Sequence, residues 1–269
     1  MLADTVSPLR SLGRSAKNWL QSRQYDCLDL RWRLRSGVIV RIGSNSDWAV
    51  FSDIFLDGEY DEPILTTLSG VRPQGSVYVI DLGANSGFFA LRLFDLAHRH
   101  GFCGCIHLVA IEGSPKNAKR LVTNLRECGS PPGCSVRMVH GLVGSRSGFG
   151  HIRELHCNAT SHVAADGVAV PYIDLNPMLQ DWPRIDLVKC DIEGSEYEFV
   201  KTYPELMART EAAVFELHNT GGDRSRHCRE LLRSYGLLNP KVLRTFGANA
   251  INTVEFFRRD QVAPLGELK

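Results

Sequence analysis

The stretch Val77 to Leu91, VYVIDLGANSGFFAL, constrains the fold of this chain more than any other. A β-branched apolar run ends in the acid Asp81, crosses a short turn with glycines at Gly83 and Gly87, and re-emerges as a Phe- and Leu-rich segment of helical character. That order predicts a strand, a tight turn and a helix start. A glycine turn lets backbone approach a ligand where a Cβ would obstruct it. The helix start leaves unpaired N–H groups facing the same ligand. A nucleotide-like cofactor is the chemistry implied.

From Ser76 onward the pattern alternates between strand and helix, which predicts an α/β fold with a doubly wound, mostly parallel sheet. The second strand, Ile106 to Ile111, runs into Glu112-Gly113-Ser114-Pro115, where Ser114 reads as an N-cap before proline at the first helical position. A third strand, Val136 to Val139, leads into Gly141-Leu142-Val143-Gly144. The fourth, Ile185 to Cys190, ends in Asp191-Ile192-Glu193-Gly194, and Ser195 with Glu198 reads as a capping box. The fifth, Ala212 to Leu217, ends in His218-Asn219. Val242 to Phe246 and Thr253 to Phe257 predict a closing antiparallel hairpin, and residues 147–171 read as irregular or short-stranded.

Residues 1–75 read as an N-terminal extension and 76–269 as the cofactor-binding domain, with the Pro and Gly cluster from Gly70 to Gly75 between them. The extension predicts an amphipathic helix over residues 8–21, a cover for the core or for a substrate. A β-hairpin follows. In it Leu28, Leu30, Trp32 and Leu34 alternate with Asp29, Arg31, Arg33 and Arg35 ahead of Val38 to Ile42. The segment from Phe51 to Tyr60 reads as a helix finishing in a turn.

A net charge of +1 gives no electrostatic case for nucleic acid or membrane. With no apolar run of membrane-spanning length and no signal-peptide pattern, a cytoplasmic protein is expected, and its eight cysteines read as thiols. His151, His156, Cys157 and His162 match no familiar zinc spacing and read as surface residues.

In open α/β sheets, ligands bind at the carboxyl ends of the strands near the point where strand order reverses. The first strand end offers Asp81 and the Gly83 to Gly87 turn. The second offers Glu112, an acid suited to a pair of ribose hydroxyls. The turn is G-x-x-x-G instead of G-x-G-x-x-G, and both that pattern and the long spacing to Glu112 count against a nicotinamide cofactor.

DLGANSGFFAL, AIEGSPKNAKRLVTNL, LVKCDIEGSEYEF and FELH, in this order, resemble the FkbM family of S-adenosylmethionine-dependent methyltransferases. The resemblance runs from about Asp47 to about His218 and implies a Rossmann-like class I methyltransferase fold with S-adenosylmethionine as cofactor and S-adenosylhomocysteine as product. By position it implies Asp81, Gly83, Asn85, Ser86 and Gly87 around the methionine part. Glu112 would meet the ribose, Gly113 and Ser114 the adenosine, and Gly141, Leu142 and Val143 the base.

Methyl transfer from a sulfonium is an in-line displacement, so the protein aligns the reactants and removes a proton from the acceptor. Asp191, Glu193 and Lys189 share one side of an extended backbone, and His218 ends the neighbouring strand. One reading is a polar cluster in which Asp191 or His218 is the general base. A second has Asp191 and Glu193 merely bracing the loop and pairing with Lys189, and a third makes Asp191, Glu193 and His218 ligands of a divalent cation. O-methylation of a hydroxyl on a natural product or sugar is the expected reaction, with carboxylate or nitrogen methylation as the nearest alternative. A non-catalytic cofactor-binding protein and a nicotinamide oxidoreductase are the readings from other classes. The expected partner is a small-molecule acceptor, and a homodimer is compatible with the sequence.

Overall fold

The computed structural model describes residues 30–128, 133–153, 162–164, 167–219, 223–247 and 251–259. The helix expected over residues 8–21 lies outside them, as do Leu28, Asp29, His156 and Cys157.

The centre is a seven-stranded sheet. Its strands are β3 (Ser76–Leu82), β4 (Cys105–Glu112), β5 (Cys134–His140), β9 (Leu187–Cys190), β10 (Ala212–Leu217), β11 (Leu237–Phe246) and β12 (Asn252–Arg259), in the order β11-β12-β10-β9-β3-β4-β5. Strands β5, β4, β3, β9 and β10 pair in parallel, whereas β12 runs antiparallel to both β10 and β11. The closing hairpin is therefore present, longer at both ends than the sequence pattern indicated. From β3 the chain winds outward through β4 and β5, then returns to the other side of β3 through β9 and β10. Strand order thus reverses between β3 and β9, where Leu82 pairs with Cys190.

Period-two alternation divides these strands between two cores. Val77, Val79 and Leu187 face one, together with the helix Phe88–Arg99. Ile80, Leu82, Val188, Cys190 and Phe215 face the other, against the helix Glu196–Thr202 and Tyr203. Asp81, Lys189 and Glu216 occupy the first face by the same alternation, which gathers charge under the N-terminal extension.

That extension shares the first core. β1 (Leu30–Arg33) and β2 (Ile39–Ile42) form the expected hairpin, and Val40, Ile42, Phe51, Ile64 and Leu68 pack with Phe88, Phe89 and Phe94. Trp32 departs from the buried alternation and is half exposed. It sits at the rim, 6.3 Å from the Trp48 ring and 5.9 Å from Phe51, while Leu30 and Leu34 pack against the core. Polar ties fasten the extension further. Arg92 donates to both carboxylate oxygens of Asp61, at 2.7 and 2.5 Å, and Ser86 Oγ donates to Asp47. The helix Asp61–Ser69 that carries Asp61 was not anticipated, since the pattern around it offers no strong periodic signal.

A small sheet, β7 (His162–Ala164), β6 (Phe149–Arg153) and β8 (Val168–Pro171), occupies the region read as short-stranded. The cysteines placed among the described residues are free thiols. No described helix is long and apolar enough to cross a membrane.

Candidate active site

Two clefts open at the carboxyl ends of β3 and β9 and share a lip formed by Gly83, Asn85, Asp191 and Glu193.

The first is walled by Gly83 and Asn85 after β3, by Glu112 and Gly113 at the end of β4, and by Gly141, Leu142 and Val143 after β5. Nine residues chosen from the sequence, Asp191 and Glu193 included, therefore meet in one cavity. The backbone explains why. Gly83 and Asn85 both have left-handed φ, +72° and +49°, and the N–H groups of Gly83 and Ala84 donate to the Ile111 carbonyl, which binds the turn to β4. Glu112 completes this brace: Oε2 accepts from Asn85 N and Oε1 from Ser114 N, each at 2.7 Å. Burial raises the Glu112 pKa against these hydrogen bonds. Each of its oxygens has a second lone pair, the acceptor capacity that a ribose diol requires.

Other candidates stand outside this cavity. Asp81 is fully buried and paired with Lys189 at 3.3 Å. Gly87 lies where a Cβ would come within 2.9 Å of Leu121, a packing requirement. Ser114 Oγ accepts from Asn117 N as the expected N-cap, and Ser86 is turned to Asp47. Ile111, Asn117 and Ile152 line the cavity without having been singled out. The lining contains Glu112, Asp191 and Glu193 but neither Lys nor Arg. A pyrophosphate would meet only repulsion here, whereas a sulfonium cofactor, with an adenosine for the apolar wall of Ile111, Leu142 and Ile152, fits the donor set.

The second cleft lies under the extension and is lined by Asp53, Glu59 and Tyr60 from that extension, by Lys189 and Glu216 from the sheet, and by Arg244 from β11. Lys189 donates to the Gly83 carbonyl at 2.6 Å and stands 3.8 Å from Asp191 Oδ2, so it ties the glycine turn to β9. Burial disfavours its charge, but Asp81 and Asp191 overcome this and hold its pKa above the usual lysine range. Arg244 bridges Asp53 at 2.7 Å and Glu59 at 2.6 Å. Burial lifts Glu59 to about 7 against that arginine.

At the lip, His218 is surrounded by carboxylates. Nδ1 faces Glu196 at 3.0 Å, and Nε2 stands 3.3 Å from both Glu193 and Glu216. Burial works against its charge, yet the bonds to Glu196 and Glu216 and the field of Asp191 raise its pKa to about 11. The imidazole is thus a cation at neutral pH and has no free lone pair to act as a base. Asp191 has a buried oxygen, Oδ1, without a hydrogen-bond partner. Burial, then Glu216, pushes its pKa well above the usual carboxylate range despite Lys189, and burial lifts Glu193 to about 7. Asp191, Glu193 and His218 bring one donor atom each within 4.8 Å, a set that a divalent cation could take.

Glu196 carries no signal of its own in the sequence, where Ser195 and Glu198 read as a capping box. Ser195 makes no side-chain cap: after the left-handed Glu193 and Gly194 its backbone sits at φ −98°, ψ 7°, away from the extended capping conformation. Glu196 instead accepts from Gly194 N and reaches His218. Glu216 was legible in principle, two residues before His218 on one strand face. Asp53, Glu59 and Arg244 arrive through tertiary packing and carry no local signal.

Comparison with known proteins bears on this arrangement. Residues 81–237 match the model of the methyltransferase FkbM domain. A search of curated proteins finds no match. Among solved structures, the chain resembles the magnesium protoporphyrin IX methyltransferase of Synechocystis PCC 6803, at 11% identity over 96% of this chain and 100% of that one, with a TM-score of 0.45. It also resembles the precorrin-6y C5,15-methyltransferase of Geobacter metallireducens GS-15, at 15% identity over 74% and 88% of the two chains, with a TM-score of 0.42. These likenesses are distant, and the family match, which spans more than half of the chain from the end of β3 to the start of β11, decides the assignment. The chain belongs to the FkbM family and is an S-adenosylmethionine-dependent methyltransferase.

Proposed function

We propose that this protein methylates a hydroxyl of a small molecule, such as a natural product or a sugar, held in the cleft under the extension. The observation that carries this reading is the position of Asp191: it lines both clefts, and its Oδ1 is buried without a partner at their shared lip. S-adenosylmethionine, when bound, supplies an electrophilic methyl group on sulfur. The protein's own part is to hold the acceptor oxygen at the lip and to take its proton at Asp191, whose raised pKa makes it a stronger base than an ordinary carboxylate. His218, protonated, offsets the charge of Glu193, Glu196 and Glu216, and Lys189 fixes the turn against β9.

The acidic lining opposes a carboxylate acceptor by repulsion. It opposes nitrogen methylation as well, since nearby carboxylates keep an amine protonated and deprive it of its lone pair. The test is transfer of a labelled methyl group to matched alcohol, carboxylic acid and amine acceptors, followed by mild alkali. Label retained as an alkali-stable ether on the alcohol supports hydroxyl methylation. Label released from the acid as an ester, or found on the amine, would overturn it.

A further inference from the structure

Seven carboxylates around the acceptor cleft share three cations among the described residues. Arg244 serves Asp53 and Glu59, Lys189 serves Asp81 and Asp191, and His218 serves Glu193, Glu196 and Glu216. The chain as a whole carries a net charge of +1, so the excess is local. It is also partly inside, since Asp81 is fully buried, Glu196 is 3% exposed, and Asp191 Oδ1 is buried without a hydrogen-bond partner. Carboxylates crowded out of water repel strongly unless cations match them. S-adenosylmethionine, with a sulfonium and an ammonium against one carboxylate, brings a single net positive charge. Seven carboxyl groups then face four positive charges.

Resting on hydroxyl methylation at the Asp191 lip, we propose that the acceptor carries a protonated amine close to the hydroxyl that reacts, as an amino sugar or an amino alcohol does. Glu216 and Glu59 line the acceptor cleft without lining the cofactor cleft, and they receive the ammonium while the hydroxyl faces Asp191. The hydroxyl oxygen forms the new C–O bond as the C–S bond breaks, the hydroxyl proton passes to the Asp191 carboxylate, and the neutral thioether departs. The amine stays protonated and unreactive, so it serves as a handle for recognition. Burial first, and the neighbouring Glu216 after it, lift Glu59 and Glu193 to about 7.

The test uses the full chain saturated with S-adenosylhomocysteine and titrated by calorimetry with glucosamine, glucose and glucuronate, which present an ammonium, a neutral and a carboxylate group on one ring. Glucosamine is expected to bind at least tenfold more tightly than glucose, and glucuronate more weakly than either. Glu216→Gln and Glu59→Gln are each expected to reduce the preference for glucosamine severalfold while leaving the affinity for S-adenosylhomocysteine unchanged. Failure of glucosamine to bind, or equal binding of glucosamine and glucose, would overturn the inference. So would magnesium binding that Asp191→Asn abolishes, since a metal would then fill the deficit. Methyl transfer to alcohols without any preference for an amine would overturn this inference alone and leave hydroxyl methylation standing.

Discussion

The Cβ that Gly83 lacks would fall 1.6 Å from the carbonyl oxygen of Asp191. The glycine turn after β3 and the end of β9 are therefore in backbone contact, and the residue that shapes the cofactor cleft also sets the position of the candidate base. The hydrogen bond from Asp191 N to the Leu82 carbonyl, at 3.0 Å, holds the same junction from the other side.

Replacing Gly83 by alanine is expected to damage both halves of the site together. Its φ of +72° alone costs a side chain roughly 1–2 kcal/mol, and the clash with Asp191 adds to that. Gly101, at φ +68° with nothing within 4 Å of its absent Cβ, is the control for the backbone term. Thermal denaturation should show Gly83→Ala less stable than Gly101→Ala, and calorimetry should show weakened cofactor binding for the former alone. Equal losses would mean that the contact is unimportant.

Lys189→Met should leave Asp81 buried without its cation, a change that typically costs about 3–5 kcal/mol. Pairing it with Asp81→Asn should recover most of that loss in a denaturant titration. Recovery tests the ion pair itself, since a lysine acting only on substrate would show none.

The extent to which the sequence disclosed this site follows from the range of its signals. The strand ends carrying Gly83, Glu112, Gly141 and Asp191 were legible because turns and periodicity are local properties, and the parallel topology brings those ends together without further information. Glu59, Asp53 and Arg244 were not, because they reach the cleft through a contact between β11 and the extension, about 190 residues apart. Asp81 illustrates the converse: its motif position implied a ligand contact, but alternation along β3 turns it inward to Lys189.

Stability should decline as pH rises. Glu59 and Glu193, lifted to about 7 from 4.5, stabilise the fold in their protonated form, a contribution complete below about 4.5 and lost as pH rises through about 7. His218, lifted from 6.5 to about 11, contributes fully below 6.5 and loses its contribution as pH rises through about 11. Melting temperature is thus expected to fall from pH 5 to 8 and further toward pH 11. Glu59→Gln should flatten the lower window and His218→Asn the upper. A profile rising across pH 5 to 8 would contradict the charge assignments.

Arg244→Ala should separate acceptor from cofactor. Its bridges to Asp53 and Glu59 close the acceptor cleft and touch nothing in the other, so acceptor KM should rise roughly tenfold or more while cofactor affinity holds. Parallel steady-state kinetics and calorimetry would reveal a loss of cofactor affinity if the arginine served both.

Asp191→Asn keeps the shape of the lip and removes its capacity to accept a proton. In single-turnover transfer of a labelled methyl group to an alcohol, with cofactor affinity measured on the same protein, the rate is expected to fall roughly 100- to 10,000-fold while the cofactor dissociation constant stays within severalfold. An unchanged rate would contradict proton removal by Asp191 at the junction of the two clefts.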